Sequence, residues 1–88
     1  MTHGVVRGMQ NFRLGMYRDA EKQFKSALKQ QEMVDTFLYL CKVYVRLDQP
    51  LTAVEVYKQG LQKFVGEASL LTGIARVYEV NFNERLLN

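Results

Sequence analysis

The sequence is poor in the residues that most often carry chemistry: one cysteine, one histidine, one proline and no tryptophan. A single thiol, Cys41, rules out an internal disulfide framework and points to a reducing compartment. A single imidazole, His3, stands beside the amino terminus, so zinc sites and histidine-based general-base mechanisms have almost nothing to assemble from. Ser26 and Ser69 have no base partner and no glycine elbow, and there is no phosphate-binding loop. No apolar run approaches the roughly 20 residues of a membrane-spanning helix. The opening Met1-Thr2-His3-Gly4 lacks the apolar core of a secretory signal. These absences lead us to expect no catalysis, no cofactor, no metal and no small-molecule substrate.

What is present is ordinary for a folded chain. Of 88 residues, 48% are hydrophobic and 24% charged, too apolar for a disordered tail. A chain of this size buries only about 60–65% of the surface its unfolded form exposes, so modest stability is expected. Twelve basic side chains against nine acidic ones give a net charge of +3. Such a small excess does not argue for nucleic acid unless the basic groups share one face. The expectation is a small, soluble, intracellular protein.

The recurring pattern is helical, i, i+3, i+4, i+7, and no stretch alternates as a half-buried strand does. Tyr17, Ala20, Phe24, Ala27 and Leu28 share one helix face. Phe37, Leu40, Cys41 and Tyr44 share a second, and Leu51, Val54, Tyr57 and Leu61 a third. Leu71, Ile74, Ala75 and Tyr78 share a fourth, in a helix expected over about 67–80. The opening stretch, with Val5, Met9 and Phe12, is a weaker helix, because Gly4 and Gly8 disfavour it. Gly15, Pro50 and Gly66 punctuate the segments. Asp48 or Gln49 is expected to cap the helix that Pro50 opens. Short turns between amphipathic helices make them antiparallel neighbours.

The segments also repeat. Ala20, Phe24, Ala27 and Leu28 recur 33 residues later as Ala53, Tyr57, Gly60 and Leu61. Leu40, Cys41 and Tyr44 recur 34 residues later as Ile74, Ala75 and Tyr78. The string Gly15-Met16-Tyr17-Arg18-Asp19-Ala20, followed by Phe24, Ala27 and Leu28, resembles the second helix of a tetratricopeptide repeat, a helical hairpin that stacks into a solenoid. The resemblance implies an all-α architecture of about five helices and about two and a half repeats, approximately 1–32, 33–66 and an incomplete 67–80, with 81–88 as an irregular tail. Small residues at Ala20, Ala27, Cys41, Ala53, Gly60 and Ala75 would let helices approach, and large ones such as Tyr17, Phe24, Phe37, Tyr44, Tyr57 and Tyr78 would fill the space between them.

Within that family, the run from Gln10 to Tyr78 resembles the tetratricopeptide component of the BBSome, a coat complex that sorts membrane cargo at primary cilia. This implies a scaffold whose partners are other protein subunits of a large complex. It also implies a place in the cytoplasm, at the basal body or centrosome and at the primary cilium. Val80 to Asn88 departs from the repeat.

Two surfaces are candidates for binding. The first helix of each repeat lines the concave side of such a solenoid. The repeat register puts Val5, Met9, Phe12, Leu38, Lys42, Val45, Thr72, Arg76 and Glu79 there, with Arg13 and Arg46 at the rim. This strip reads either as a mixed apolar and basic groove for a partner segment or as a surface touching further repeats of a longer solenoid. Chaperone-binding members of the family hold a peptide carboxylate here with lysine and asparagine, and Val5 and Met9 do not suit that role. The second surface is a basic stripe, Arg18, Lys22, Lys25 and Lys29, spaced along one helix. It reads either as a footprint for an acidic partner, anionic lipid or nucleic acid, or as a solvated face partly neutralised by Asp19 and Glu21. Membrane contact would be peripheral at most. Cys41, at a small-residue packing position, is expected to be an inert buried thiol.

The carboxyl-terminal end should be incomplete. Asn81 and Asn83 are expected to interrupt the last helix, leaving an apolar strip exposed near Leu70, Val77 and Phe82.

Overall fold

The computed structural model describes the backbone of residues 3–87 and the side chains of residues 3–81. Five helices follow one another: α1 (His3–Arg13), α2 (Tyr17–Gln30), α3 (Val34–Arg46), α4 (Pro50–Lys63) and α5 (Ala68–Leu87). Each packs on its sequence neighbour as adjacent hairpins, and α3 also touches α1 and α5. The result is a slab of 42 × 31 × 15 Å, an all-α tetratricopeptide-type solenoid.

The turns within the two complete hairpins are built alike. After α1, the Met16 N–H donates to the Asn11 carbonyl at 2.8 Å and the Gly15 N–H to Phe12 at 3.0 Å. After α3, the Gln49 N–H donates to Tyr44 at 2.8 Å and the Asp48 N–H to Val45 at 3.1 Å. Both satisfy carbonyls left open at a helix end, and both need a left-handed residue. Gly15 supplies it at φ 76°, and Asp48 takes the same conformation at φ 59° despite its Cβ. Gln49 is the N-cap of α4 but makes no side-chain cap hydrogen bond, and Pro50 opens the helix.

α1 forms although it contains Gly4 and Gly8, because these residues serve packing rather than propensity. A Cβ on Gly8 would lie 2.5 Å from the Phe24 ring. Phe24, fully buried, occupies that space from α2 and stacks on Tyr39 of α3 with ring centroids 5.5 Å apart and an interplanar angle of 9°. The burial of such a ring stabilises by about 1.5–3 kcal/mol, more than the glycine costs the helix.

α3 is covered on two sides. It buries Thr36 and Val43, and toward α4 it buries Phe37 and Cys41. Phe37 meets Phe64 edge to face at 6.3 Å, and the Cys41 thiol donates to the Ala53 carbonyl at 3.5 Å. The 34-residue offset carries this scheme to α5. Leu70 and Val77, the counterparts of Thr36 and Val43, are buried. Gly73, the counterpart of Tyr39, lies on the Tyr57 ring, as Tyr39 lies on Phe24.

The second side of α5 has no cover. Leu71 and Tyr78, counterparts of Phe37 and Tyr44, are 51% and 48% exposed, and Ala75 between them is exposed too. α5 packs only on α4 and α3, so nothing among the described residues stands where α4 stands against α3. An exposed apolar strip is therefore present, but it is not where the sequence placed it. Leu70 and Val77 face back into the solenoid, Tyr78 is not a core residue, and the Phe82 side chain lies outside the described residues. The expected break at Asn81 and Asn83 does not occur either, because α5 is helical through Leu87. The Asn81 amide donates to the Val77 carbonyl at 2.8 Å, a bond along the helix that leaves its backbone ladder intact.

Two outcomes test this packing. Ala53 is fully buried beside Cys41, so Ala53→Leu should cost about 1–3 kcal/mol by overpacking, seen as a lower melting temperature. Asp48→Gly should remove left-handed strain and raise stability by about 0.5–1 kcal/mol, net of the added freedom of the unfolded chain. A chemical denaturation midpoint that falls for Asp48→Gly would contradict the turn assignment.

Candidate functional site

An open trough of about 670 Å³ runs between α3 and α5, with Phe12 of α1 and Tyr57 of α4 also lining it. Helical spacing decides which side chains enter it. On α3, Leu38, Lys42, Val45 and Arg46 recur at i, i+4, i+7 and i+8 and share the trough-facing side. On α5, Thr72, Arg76 and Val80 recur at i+4 steps. Phe12 reaches in from the end of α1.

Seven of the residues that the repeat register assigns to a concave strip are thus brought together: Phe12, Leu38, Lys42, Val45, Arg46, Thr72 and Arg76. Four are not. Val5 is 2% exposed; it lies on the inward face of α1, and only the last turn of that face, at Phe12, emerges into the trough. Met9 packs against the core cluster. Arg13 and Glu79 are exposed but do not line the trough, since from Thr72 and Arg76 the helix continues at Val80.

Tyr57, Val80 and Asn81 line the trough without having been anticipated. Tyr57 reads as a core filler, which it also is at 7% exposure. It borders the trough because Gly73 has no side chain to lay over its ring. The signal was a glycine at the position where the preceding repeat has Tyr39. Val80 and Asn81 belong to the stretch where the helix was expected to end.

The electrostatics of the trough are one-signed. Lys42, Arg46 and Arg76 line it, and no carboxylate of the described residues does. Lys42 lies over the Tyr39 ring at 5.6 Å and Arg46 over the Phe12 ring at 5.5 Å. Arg46 also donates to the Tyr17 hydroxyl at 3.5 Å. Among the described residues, the ion pairs join Arg18 and Lys25 to Glu21 and Lys63 to Glu32; none engages the three trough cations. Burial raises the Tyr57 phenol above its ordinary range, and the Arg76 charge opposes the shift.

The basic stripe is arranged differently. Arg18 and Lys25 both pair with Glu21, at 3.1 and 3.5 Å, and Glu21 also accepts the Tyr44 hydroxyl at 2.7 Å. Half of the stripe is therefore committed to a carboxylate that ties α2 to α3, which favours the solvated-face reading. Lys22 and Lys29 are not joined to it, and Lys29 is exposed. Burial alone would raise the Glu21 carboxyl, but the Tyr44 hydrogen bond, Arg18 and Lys25 outweigh it and hold the carboxyl below its usual range. Cys41 is fully buried, and burial pushes its thiol far above the ordinary range. The described residues contain no group of three or more metal-ligating side chains and no helix long and apolar enough to cross a membrane.

No protein-family model matches the chain. Curated relatives do. The chain is 78% identical over 68 residues to human Tetratricopeptide repeat protein 8, and 76% identical over 68 residues to the mouse protein of that name. It is 48% identical over 67 residues to the Caenorhabditis elegans protein of that name. The human match covers 77% of this chain but 13% of the relative's length.

A lowered carboxylate contributes stability above its unfolded pKa, and that contribution is lost as pH falls through its folded pKa. The melting temperature of the native chain should therefore carry a Glu21-dependent component at pH 7 that disappears in acid, below about pH 4. Glu21→Gln should melt lower than the native chain at neutral pH and converge with it at low pH. Parallel melting curves across that range would refute the assignment.

Proposed function

We propose that this chain, a tetratricopeptide-type repeat segment, is a protein–protein interaction scaffold and part of a BBSome subunit acting in ciliary membrane-protein trafficking and cilium assembly. The observation that carries the proposal is the 78% identity over 68 residues to human Tetratricopeptide repeat protein 8. The chain spans 13% of that relative's length, so the assembly, the partners and the location are assigned by this proposal. The location is cytoplasmic, at the basal body and primary cilium.

The trough supports an interaction role independently of the relatives. Its walls are apolar and cationic side chains on rigid helices, a surface suited to receiving another segment. We propose no catalytic role, since among the described residues no nucleophile is paired with a base and Cys41 is buried as a neutral thiol. A second reading, a free peptide-binding adaptor, draws on the openness of the same trough. Lipid or nucleic-acid binding through the basic stripe is less supported, because Glu21 already engages two of its four cations.

The tagged chain, purified from ciliated cells and read by mass spectrometry, should bring down BBSome subunits above a scrambled-sequence control. Recovery of none would refute the assembly role. Val45→Glu, which puts a carboxylate on the trough wall at a position 46% exposed, should reduce recovery several-fold if the trough is the contact and leave helicity unchanged.

A further inference from the structure

We infer that the uncovered face of α5 pairs with the same face of a second copy of this chain. The two helices run antiparallel about a twofold axis, so that Ala75 of each copy receives Tyr78 of the other. The pairing does not depend on the interaction reading of the trough, because Leu71, Ala75 and Tyr78 do not line the trough.

Leu71, Ala75 and Tyr78 are exposed and recur at i, i+4 and i+7, an apolar strip about 10 Å long on one helix face. The equivalent strip on α3, formed by Phe37, Cys41 and Tyr44, is buried. There a large side chain meets a small residue of the antiparallel neighbour: Phe37 lies over Gly60 of α4, where an added Cβ would come within 3.1 Å of its ring. α5 holds both halves of such a contact on its own strip, Tyr78 large and Ala75 small about one turn before it. A strip of that kind is complementary to itself when turned end for end, which is the condition for a twofold interface. The spacing i, i+4, i+7 is also that of a helix–helix seam. Residues 82–87 do not fold back over the strip, since α5 stays helical through Leu87 and carries the backbone onward along its axis.

Charge favours a second copy over an anionic surface. The strip itself is uncharged, and Glu79, four residues on from Ala75, stands on its border. With Ala75 opposite Tyr78, the antiparallel register brings Glu79 level with residue 74 of the other copy. That level lies between the other copy's Thr72 and Arg76, each about 3 Å away along the axis. All three side chains are exposed, and among the described residues neither Glu79 nor Arg76 belongs to an ion pair. The Thr72 hydroxyl can donate to the facing carboxylate and the long Arg76 side chain can reach it, twice by symmetry. An anionic membrane would instead meet Glu79 at the edge of the strip and be repelled. So short a contact buries less than the roughly 1,200 Å² of a standard interface, so the pair is reversible, with a Kd on the order of 0.1 mM.

The test is sedimentation equilibrium of the 88-residue chain from about 10 μM to about 1 mM, a range that brackets that Kd. A monomer–dimer equilibrium is expected, little changed by salt because its centre is apolar. Ala75→Glu should raise the Kd about tenfold or more, by burying a carboxylate in the contact. Ala75→Tyr alone sets ring against ring, and Tyr78→Ala alone leaves a gap, so each should weaken pairing several-fold. The two together exchange large and small in both copies and should restore it. Val45→Glu, on the trough wall, should leave pairing unchanged. Ala75 and Tyr78 are exposed, so circular dichroism should show the native fold in every variant. A chain that stays monomeric throughout that range would overturn the inference and leave the strip to a segment or partner outside these 88 residues. A dimer indifferent to Ala75→Glu would overturn it too, as would an exchange of large and small that restores nothing. A dimer lost in Val45→Glu would move the contact to the trough and overturn it as well.

Discussion

The fold turns on the Phe24 ring. It fills the space that Gly8 leaves open on α1 and lies flat against Tyr39 of α3, so a single side chain joins the first hairpin to the second. Without it, α1 would be a glycine-containing helix of 11 residues, too short to persist alone in water. The Tyr39 contact joins α2 to α3 together with the Tyr44–Glu21 hydrogen bond. Tyr57 has the same role in the following repeat, against Gly73 of α5. Each hairpin in such a stack is stable only because the next one covers it.

The difference between the two aromatic contacts creates the trough. Tyr39 lays a ring over Phe24; Gly73 lays nothing over Tyr57. The wall of α5 is therefore set close to α4, and the space in front of α3 stays open to Lys42, Arg46 and Arg76. A packing asymmetry between repeats opens a trough, and the cations on its walls give it a sign. On α2, Glu21 collects Arg18, Lys25 and the Tyr44 hydroxyl and leaves Lys22 and Lys29 outside the cluster. In the trough, no described carboxylate pairs with any of the three cations.

Much of this was legible from residue spacing. The small and large residues at Ala20, Phe24, Ala27, Ala53, Tyr57 and Gly60 declared the second helices of two hairpins, and Gly15 declared a turn. The 34-residue offset held for α5, where Leu71, Ala75 and Tyr78 stand where Phe37, Cys41 and Tyr44 stand in α3. What spacing did not reveal was coverage. A repeat register says which face a residue shares, not whether a neighbour stands there, so Tyr78 read as core and Leu70 as exposed when the reverse holds. Val5 read as groove for the same reason. Asn81 read as a helix breaker because propensity averages over many contexts, whereas here its amide bonds back to Val77.

By itself the sequence determined the helix count, the turn positions and the pairing of each helix with its neighbours, because these follow from local periodicity and from side-chain volumes repeated at a constant interval. Through what it lacks, it also pointed toward contact rather than reaction. Only the tertiary structure decided which apolar residues stay uncovered, that Tyr57 borders a cavity, and that Lys42, Arg46 and Arg76 share a trough that no described carboxylate lines. The reason is geometric. Burial and electrostatic pairing depend on residues far apart in the chain meeting across helices, and each of the three cations sits on a helix whose own spacing carries no record of what faces it.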